Sequence, residues 1–366
     1  MRCGKPDHRL TAAVVALAAV AALYLALPAI AGLDETWRLL KTGSAWWLGF
    51  GVVLELGSYA GYVLLFARVF HGVDGVGLRR SLEITLAGVA ATRLLATAGA
   101  GGVVLTGWAL RRSGMARAAV LSGLTTFLVA LYSVYMAALV VTGLGLHFGL
   151  LPGPAPFALT VVPAVFGALV IAVGLAAASV PGDLPARVEG SRRGIRIAAQ
   201  ALAGVAGGVR GAMRLLRERD PGYAGAVAWW AFDLAVLWAC FHAFGGAPPV
   251  AVVVLVYFVG MLANTLPLPG GVGGVEGGMI ATAIGFGIDE GLAIVAVLSY
   301  RAIAFWLPTV PGALAYVHLR RDLDRERQSS SAAVARAERD HVDVRHDSLG
   351  SLTGGARHEQ VRHPGR

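Results

Sequence analysis

The sequence predicts an all-α polytopic membrane protein, with about six full transmembrane helices plus two re-entrant helical hairpins in an inverted repeat. Three observations carry that prediction. Apolar runs recur along the chain, and a run of about 18 residues or more is long enough to cross a hydrocarbon core of roughly 30 Å. Hydrophobic residues make up 56% of the 366 and charged residues only 14%, with a mean hydropathy of +0.67, which is not the composition of a soluble domain. The basic residues gather between the apolar runs, where positive charge is retained on the cytoplasmic side.

Taken in order, the first run, 11–32, follows Arg2, Lys5 and Arg9 and ends in "LPAIAG". It reads as a first span, with a cleaved signal peptide as the alternative; either leaves the following chain on the outer side. Run 45–68 returns inward to Arg68, Arg79 and Arg80. Run 82–110 has those arginines before it, Arg111, Arg112 and Arg117 after it, and "TAGAGG" (Thr97 to Gly102) at its centre. Basic at both ends and broken in the middle, it reads as a hairpin dipping in from the cytoplasm. Runs 118–147 and 158–180 are full spans, followed by a segment, 181–220, with eight arginines against four acidic residues, which belongs inside.

Within it, 187–219 places Arg192, Arg193, Arg196, Arg210, Arg214 and Arg217 among Ala, Val, Leu and Ile, as an amphipathic surface helix or a basic loop. Run 222–246 crosses outward to the turn "GGAPP". Run 250–287 has no basic residue at either end, is followed by Asp289 and Glu290, and holds "TLPLPGGVGGVEGGMIA" (Thr265 to Ala281). It reads as the opposite hairpin, entering from outside. Run 291–317 returns the chain to Arg320 and Arg321, so both termini are expected in the cytoplasm. Residues 1–320 form the membrane domain, and 321–366, polar and Ser-rich, a disordered charged tail whose four histidines are too irregular for a metal site.

The two interrupted runs align weakly, Gly101–Gly102 against Gly273–Gly274, and each leads into a long span. Corresponding broken segments entering from opposite faces are the pattern of inverted-repeat transporters.

Charge is costly in hydrocarbon, so ionisable residues inside spans are functional candidates. Five stand out: Glu55, Arg93, Asp233, Glu276 and Arg301. At about 1.5 Å per residue, Arg301 lies roughly 15 Å and Glu276 about 18 Å from the outer ends of their helices, near the midplane. The structural alternative is that they pair and merely lock the bundle. His147 and His242 fall near outer helix ends and read as interfacial.

No soluble-enzyme motif survives inspection. The glycine string has Glu276 where a third dinucleotide glycine belongs, no P-loop lysine follows, and there is no H-E-x-x-H or Cys/His cluster. No catalytic set, metal or cofactor is expected. Cys3 and Cys240 support neither a disulfide framework nor a zinc site. The net charge of +9 sits largely in short loops, where it meets anionic lipid headgroups and not nucleic acid. Gly270, Gly274 and Gly278, and Gly273 with Gly277, stand at four-residue spacing, which suits close helix packing.

"LPLPGGVGGVE" followed by "SYRAIAFWLP" resembles the flippase-like transmembrane region of the bacterial lysylphosphatidylglycerol synthase family, over roughly residues 11–320. By that resemblance Pro267, Pro269, Gly270, Gly271, Gly273 and Glu276 are motif positions, with Gly274 beside them and Arg301 a further one. Two departures matter. The soluble aminoacyl-transfer domain is not within this sequence, so the resemblance implies no lipid aminoacylation. Val104 stands where a carboxylate would align with Glu276.

The expected function is a translocase or transporter for an anionic or polyprenyl-linked lipid in the bacterial inner membrane. Arg301 and Arg93 would meet the phosphate, free backbone N–H groups at the half-helix ends would face it, and Glu276 would pair with Arg301 when the site is empty. The alternatives are a non-transporting partner of a lipid- or glycan-modifying enzyme, docked through 187–219, and a membrane-embedded transferase.

Overall fold

The computed structural model describes residues 41–70, 77–94, 100–188, 190, 192–265 and 271–322. The run expected at 11–32, the tail beyond 322, and the centres of both interrupted runs lie outside the described residues. The architecture belongs to the first of two compact units, Met1–Tyr316; of the second, Val317–Arg366, residues 317–322 are described and are helical.

Every regular element among the described residues is a helix. In chain order these are α1 (Ala45–Val69), α2 (Leu78–Leu94), α3 (Ala100–Arg112), α4 (Arg117–His147), α5 (Phe157–Ala178), the single turn α6 (Leu184–Arg187), α7 (Arg193–Arg217), α8 (Pro221–Ala243), α9 (Val250–Met261), α10 (Gly274–Gly285) and α11 (Glu290–Arg301). A 3₁₀ turn, Leu262–Thr265, ends α9, and a π-helical turn, Ala302–Trp306, follows α11 before the α-helix resumes. Among the described residues, five helical segments are long and apolar enough to cross a membrane: α1, α4, α5, α8 and the run that begins at Glu290. They coincide with five of the six expected full spans.

Local signals set the helix ends. Asp220 caps α8 by accepting from the Gly222 N–H at 2.7 Å, with Pro221 at the first helical position, and Asp289 caps α11 through the Leu292 N–H at 2.9 Å.

The two interrupted runs are pairs of short helices, α2 with α3 and α9 with α10, the members of each pair packed together. At 12 residues, α9 and α10 each rise about 18 Å and cannot span a bilayer alone. Both pairs close on glycine. A methyl at Gly102 would sit 2.5 Å from the Gly88 carbonyl oxygen, and one at Gly278 would sit 3.2 Å from the Gly260 Cα. The sequence placed the packing stripe on Gly270, Gly274 and Gly278 and on Gly273 with Gly277. In the structure Gly278 meets the facing helix backbone, whereas Gly277 and Gly273 look onto open space; Gly270 lies outside the described residues.

Gly260→Ala is therefore expected to destabilise by about 1–3 kcal/mol, because its methyl would stand 2.9 Å from the Met279 nitrogen. Gly277→Ala, in open space within α10, should be neutral or stabilising by up to about 1 kcal/mol. Thermal unfolding in detergent compares the two.

The centre of the bundle is the pair α1 and α8, the most extensively packed helices. Their backbones touch at Gly61 and Gly225: a methyl at Gly61 would lie 2.7 Å from the Gly225 oxygen, and one at Gly225 2.6 Å from the Gly61 oxygen. Ser58 donates to the Trp229 carbonyl at 2.9 Å across the same seam. Trp230 donates to the Leu131 carbonyl at 2.7 Å, tying α8 to α4.

The arginine-rich segment 187–219 is a helix over most of its length. α7 buries Ala199, Ala206, Gly208, Val209 and Ala212 against α4 and α5, and a methyl at Gly208 would sit 2.9 Å from the Thr125 backbone. Arg210 donates to the carbonyls of Ala178 and Val180, both at 2.9 Å, and so satisfies the end of α5. His147 and His242 lie in the last turns of α4 and α8 among aromatic rings, Phe148 and Phe157 for the first, Trp47 and Trp238 for the second.

Candidate functional site

All five ionisable residues singled out in the sequence converge in one region of the bundle. Glu55 comes from the middle of α1, Arg93 from the last turn of α2, Asp233 from the middle of α8, Glu276 from the first turn of α10 and Arg301 from the end of α11. Glu55, Asp233, Glu276 and Arg301 are buried and Arg93 is half-buried.

Glu276 and Arg301 form an ion pair, Nε to Oε1 at 2.7 Å, with both side chains no more than 7% exposed. The second carboxylate oxygen accepts from the Gly273 N–H at 2.8 Å. Glu276 thus closes the N-terminus of its own helix in the manner of a capping box, where a carboxylate also meets the helix dipole. Gly273 makes this geometry with φ +83°, a conformation that suits glycine. This corrects the expectation that the half-helix N–H groups stand free for a ligand: at α10 the chain's own carboxylate takes one of them.

Arg301 is followed by the π-helical turn, and such turns disturb the regular carbonyl ladder. Arg93 donates there, to the Ala304 carbonyl at 2.7 Å and the Phe305 carbonyl at 2.9 Å. The Phe305 ring faces both guanidiniums, 4.2 Å from Arg301 and 5.3 Å from Arg93, so two cations from separate helices share one aromatic ring.

The remaining two carboxyls meet each other. Glu55 and Asp233 approach closely enough for each carboxyl to act on the other, and Arg93 is the guanidinium whose charge acts on both. Asp233 also accepts from the Tyr257 hydroxyl and, at 3.2 Å to each oxygen, from the Tyr300 hydroxyl.

Of the five, Arg93, Asp233 and Arg301 line a cavity of about 400 Å³, together with Tyr257, Asn264, Tyr300 and further aromatic and threonine side chains; Glu55 and Glu276 stand behind its wall. Beside it runs a groove of about 640 Å³ along α4, α8 and α9, lined by aliphatic and aromatic side chains with Thr142 among them. Trp230 lines both.

Of the motif positions, Pro267, Pro269 and Gly270 lie outside the described residues. Gly271 has φ +67° and packs so tightly on Asn264 that a methyl would collide with its side-chain oxygen; Gly274 is the first residue of α10. Sequence reasoning missed Tyr257, Tyr300 and Phe305. The signal was present for the tyrosines, since a hydroxyl in the middle of an apolar span requires a partner at that depth.

A chain of this kind is a multi-pass helical membrane protein whose charged groups are gathered where broken helices meet intact ones. The family model described as "Lysylphosphatidylglycerol synthase TM region" matches residues 12–312, and the chain belongs to that family. A UPF0104 membrane protein of Methanothermobacter thermautotrophicus is 32% identical over 98 residues, which are 26% of this chain and 28% of that protein. The chain thus matches little more than a quarter of that relative's length.

Proposed function

We propose that the protein is a lipid translocase of the bacterial cell membrane, with both termini cytoplasmic, acting on a lipid whose headgroup carries a phosphate, either an anionic phospholipid or a polyprenyl-linked lipid. The observation that carries this reading is the convergence of Arg93 and Arg301 on one ring at the wall of a cavity that adjoins an apolar groove. Guanidiniums suit a phosphate, and the groove suits acyl or prenyl chains. Burial of such charges in a membrane domain is expensive and is retained where ions or headgroups pass. Membership in the family supports a lipid-related role.

In this mechanism the headgroup competes for Arg301 with Glu276 and for Arg93 with the carbonyls of the π-helical turn. Purified protein in vesicles carrying a labelled anionic phospholipid should accelerate its exchange between leaflets. Glu276→Gln should slow that exchange at least about tenfold, equivalent to about 1.4 kcal/mol, while the protein stays folded. Exchange at the normal rate in a folded variant would leave Glu276 as a cap and lock only.

A second reading rests on α7. Its exposed arginines, with Ile195 and Ile197 also exposed, form a surface on which a lipid- or glycan-modifying enzyme would dock. Absence of leaflet exchange by the purified protein would favour this partner role.

A further inference from the structure

The Glu276–Arg301 contact accounts for one carboxylate and one guanidinium, leaving two carboxyls, Glu55 and Asp233, beside one guanidinium, Arg93. Three elements present these groups: α1 carries Glu55 and Tyr59, α8 carries Asp233, and α2 carries Arg93. Tyr257 of α9 and Tyr300 of α11 complete the surroundings through their hydrogen bonds to Asp233. Among the described residues no N–H or O–H donates to Glu55 Oε2, although the residue is only 3% exposed. Two carboxyls in contact hold together only with a proton between them, because adjacent like charges in a poorly polarisable interior repel strongly.

We infer that the Glu55–Asp233 pair is a proton-binding site coupled to headgroup binding at Arg93. With the site empty, the pair holds one proton, and its single negative charge is balanced by Arg93. A phosphate that engages Arg93 removes that balance. The pair then takes a second proton from water in the cavity, which Asp233 lines, forming an O–H bond at a carboxyl oxygen of the pair; Glu55 Oε2, without a donor, has room for it. Departure of the phosphate lets the Arg93 charge act on the pair again and returns the proton to water. Proton and anionic headgroup therefore bind together, and each strengthens the other by the same factor. Sodium is the less suited ion. Both carboxyls project from uninterrupted helices, α1 and α8, whose carbonyls are engaged in their own ladders, whereas sodium sites in broken-helix transporters draw on unwound backbone.

This inference rests on the lipid site proposed above but not on translocation, and its test uses binding alone. The full-length protein in detergent, weakly buffered with a pH indicator, is titrated with a soluble short-chain phosphatidylglycerol as a singly charged phosphate probe. About one proton should be taken up per lipid bound, and affinity should fall about tenfold for each unit rise in pH through the titration range. Glu55→Gln and Asp233→Asn should bind the probe with little or no proton uptake and a flattened pH dependence. In the unaltered protein, the infrared carbonyl stretch of protonated carboxyls should grow on lipid addition, a readout that stands even if a variant does not fold. Binding without proton uptake, affinity that follows sodium and not pH, or no binding of the probe would each overturn the inference. Linked binding without leaflet exchange would uphold it and remove the translocase reading.

Discussion

Replacing Arg301 with alanine is expected to cost about 3–5 kcal/mol and to abolish leaflet exchange. The substitution leaves the Glu276 carboxylate buried with its Gly273 contact but without the cation 2.7 Å away, and an uncompensated buried charge is among the most destabilising single changes known. It also removes one of the two guanidiniums that share the Phe305 ring. Arg301→Lys should recover only part of the loss, since an ammonium cannot reproduce the planar Nε–H donor together with stacking on the ring. The double variant Arg301→Ala with Glu276→Gln should be more stable than Arg301→Ala alone, because it removes the stranded charge, yet it should remain inactive. Thermal unfolding in detergent and lipid exchange in vesicles separate these outcomes. A double variant no more stable than the single one would show that the charge pair is not the source of the penalty.

Gly61→Leu is expected to prevent assembly of the bundle. The first added carbon would stand 2.7 Å from the Gly225 oxygen, 2.8 Å from the Ala228 Cβ and 2.8 Å from the Trp229 nitrogen, and two of these three obstacles are backbone. A flexible side chain can move aside; two helical backbones held by their own ladders cannot. The cost should reach at least about 3 kcal/mol, the upper end for overpacking, and appear as loss of monodisperse protein on size-exclusion chromatography in detergent. Close glycine-mediated approach stabilises helices in lipid through dispersion and contact between backbones, because burial of apolar surface offers little net gain there. Gly49→Leu, in α1 with nothing within 4 Å of the added carbon, is the control and should assemble normally.

Both predictions concern places where the sequence announced that something unusual was present without saying what it touched. Arg301 and Glu276 were legible as charges at similar depth, and their depth followed from helix rise alone. Their contact depended on how α10 and α11 fold against each other. Arg93 was legible in the same way, but its present partners are carbonyls that become available through a π-helical turn after Arg301, and no residue pattern in "RAIAFW" signals that turn. Glu55 and Asp233 were legible as isolated carboxyls. Their approach depends on the packing of α1 against α8, whose backbones come closest at Gly61 and Gly225. The glycine stripe was legible as a packing signal and misplaced in detail, because four-residue spacing identifies a face but not which turn of it meets the neighbour.

The sequence by itself determined the class of protein, the five spans seen among the described residues, the two pairs of short helices and the identity of the charged residues. These follow from local rules: apolar length sets a span, glycine and proline interrupt it, and the cost of burying charge makes any ionisable residue within it conspicuous. Tertiary structure alone decided which charge meets which. Pairing in hydrocarbon is settled over distances of 3–4 Å, between residues up to about 210 positions apart in the chain, by the rotation and crossing of helices whose closest contacts are glycines. A shift of one residue in any of those crossings would leave the composition of every helix unchanged and give each buried charge a different partner.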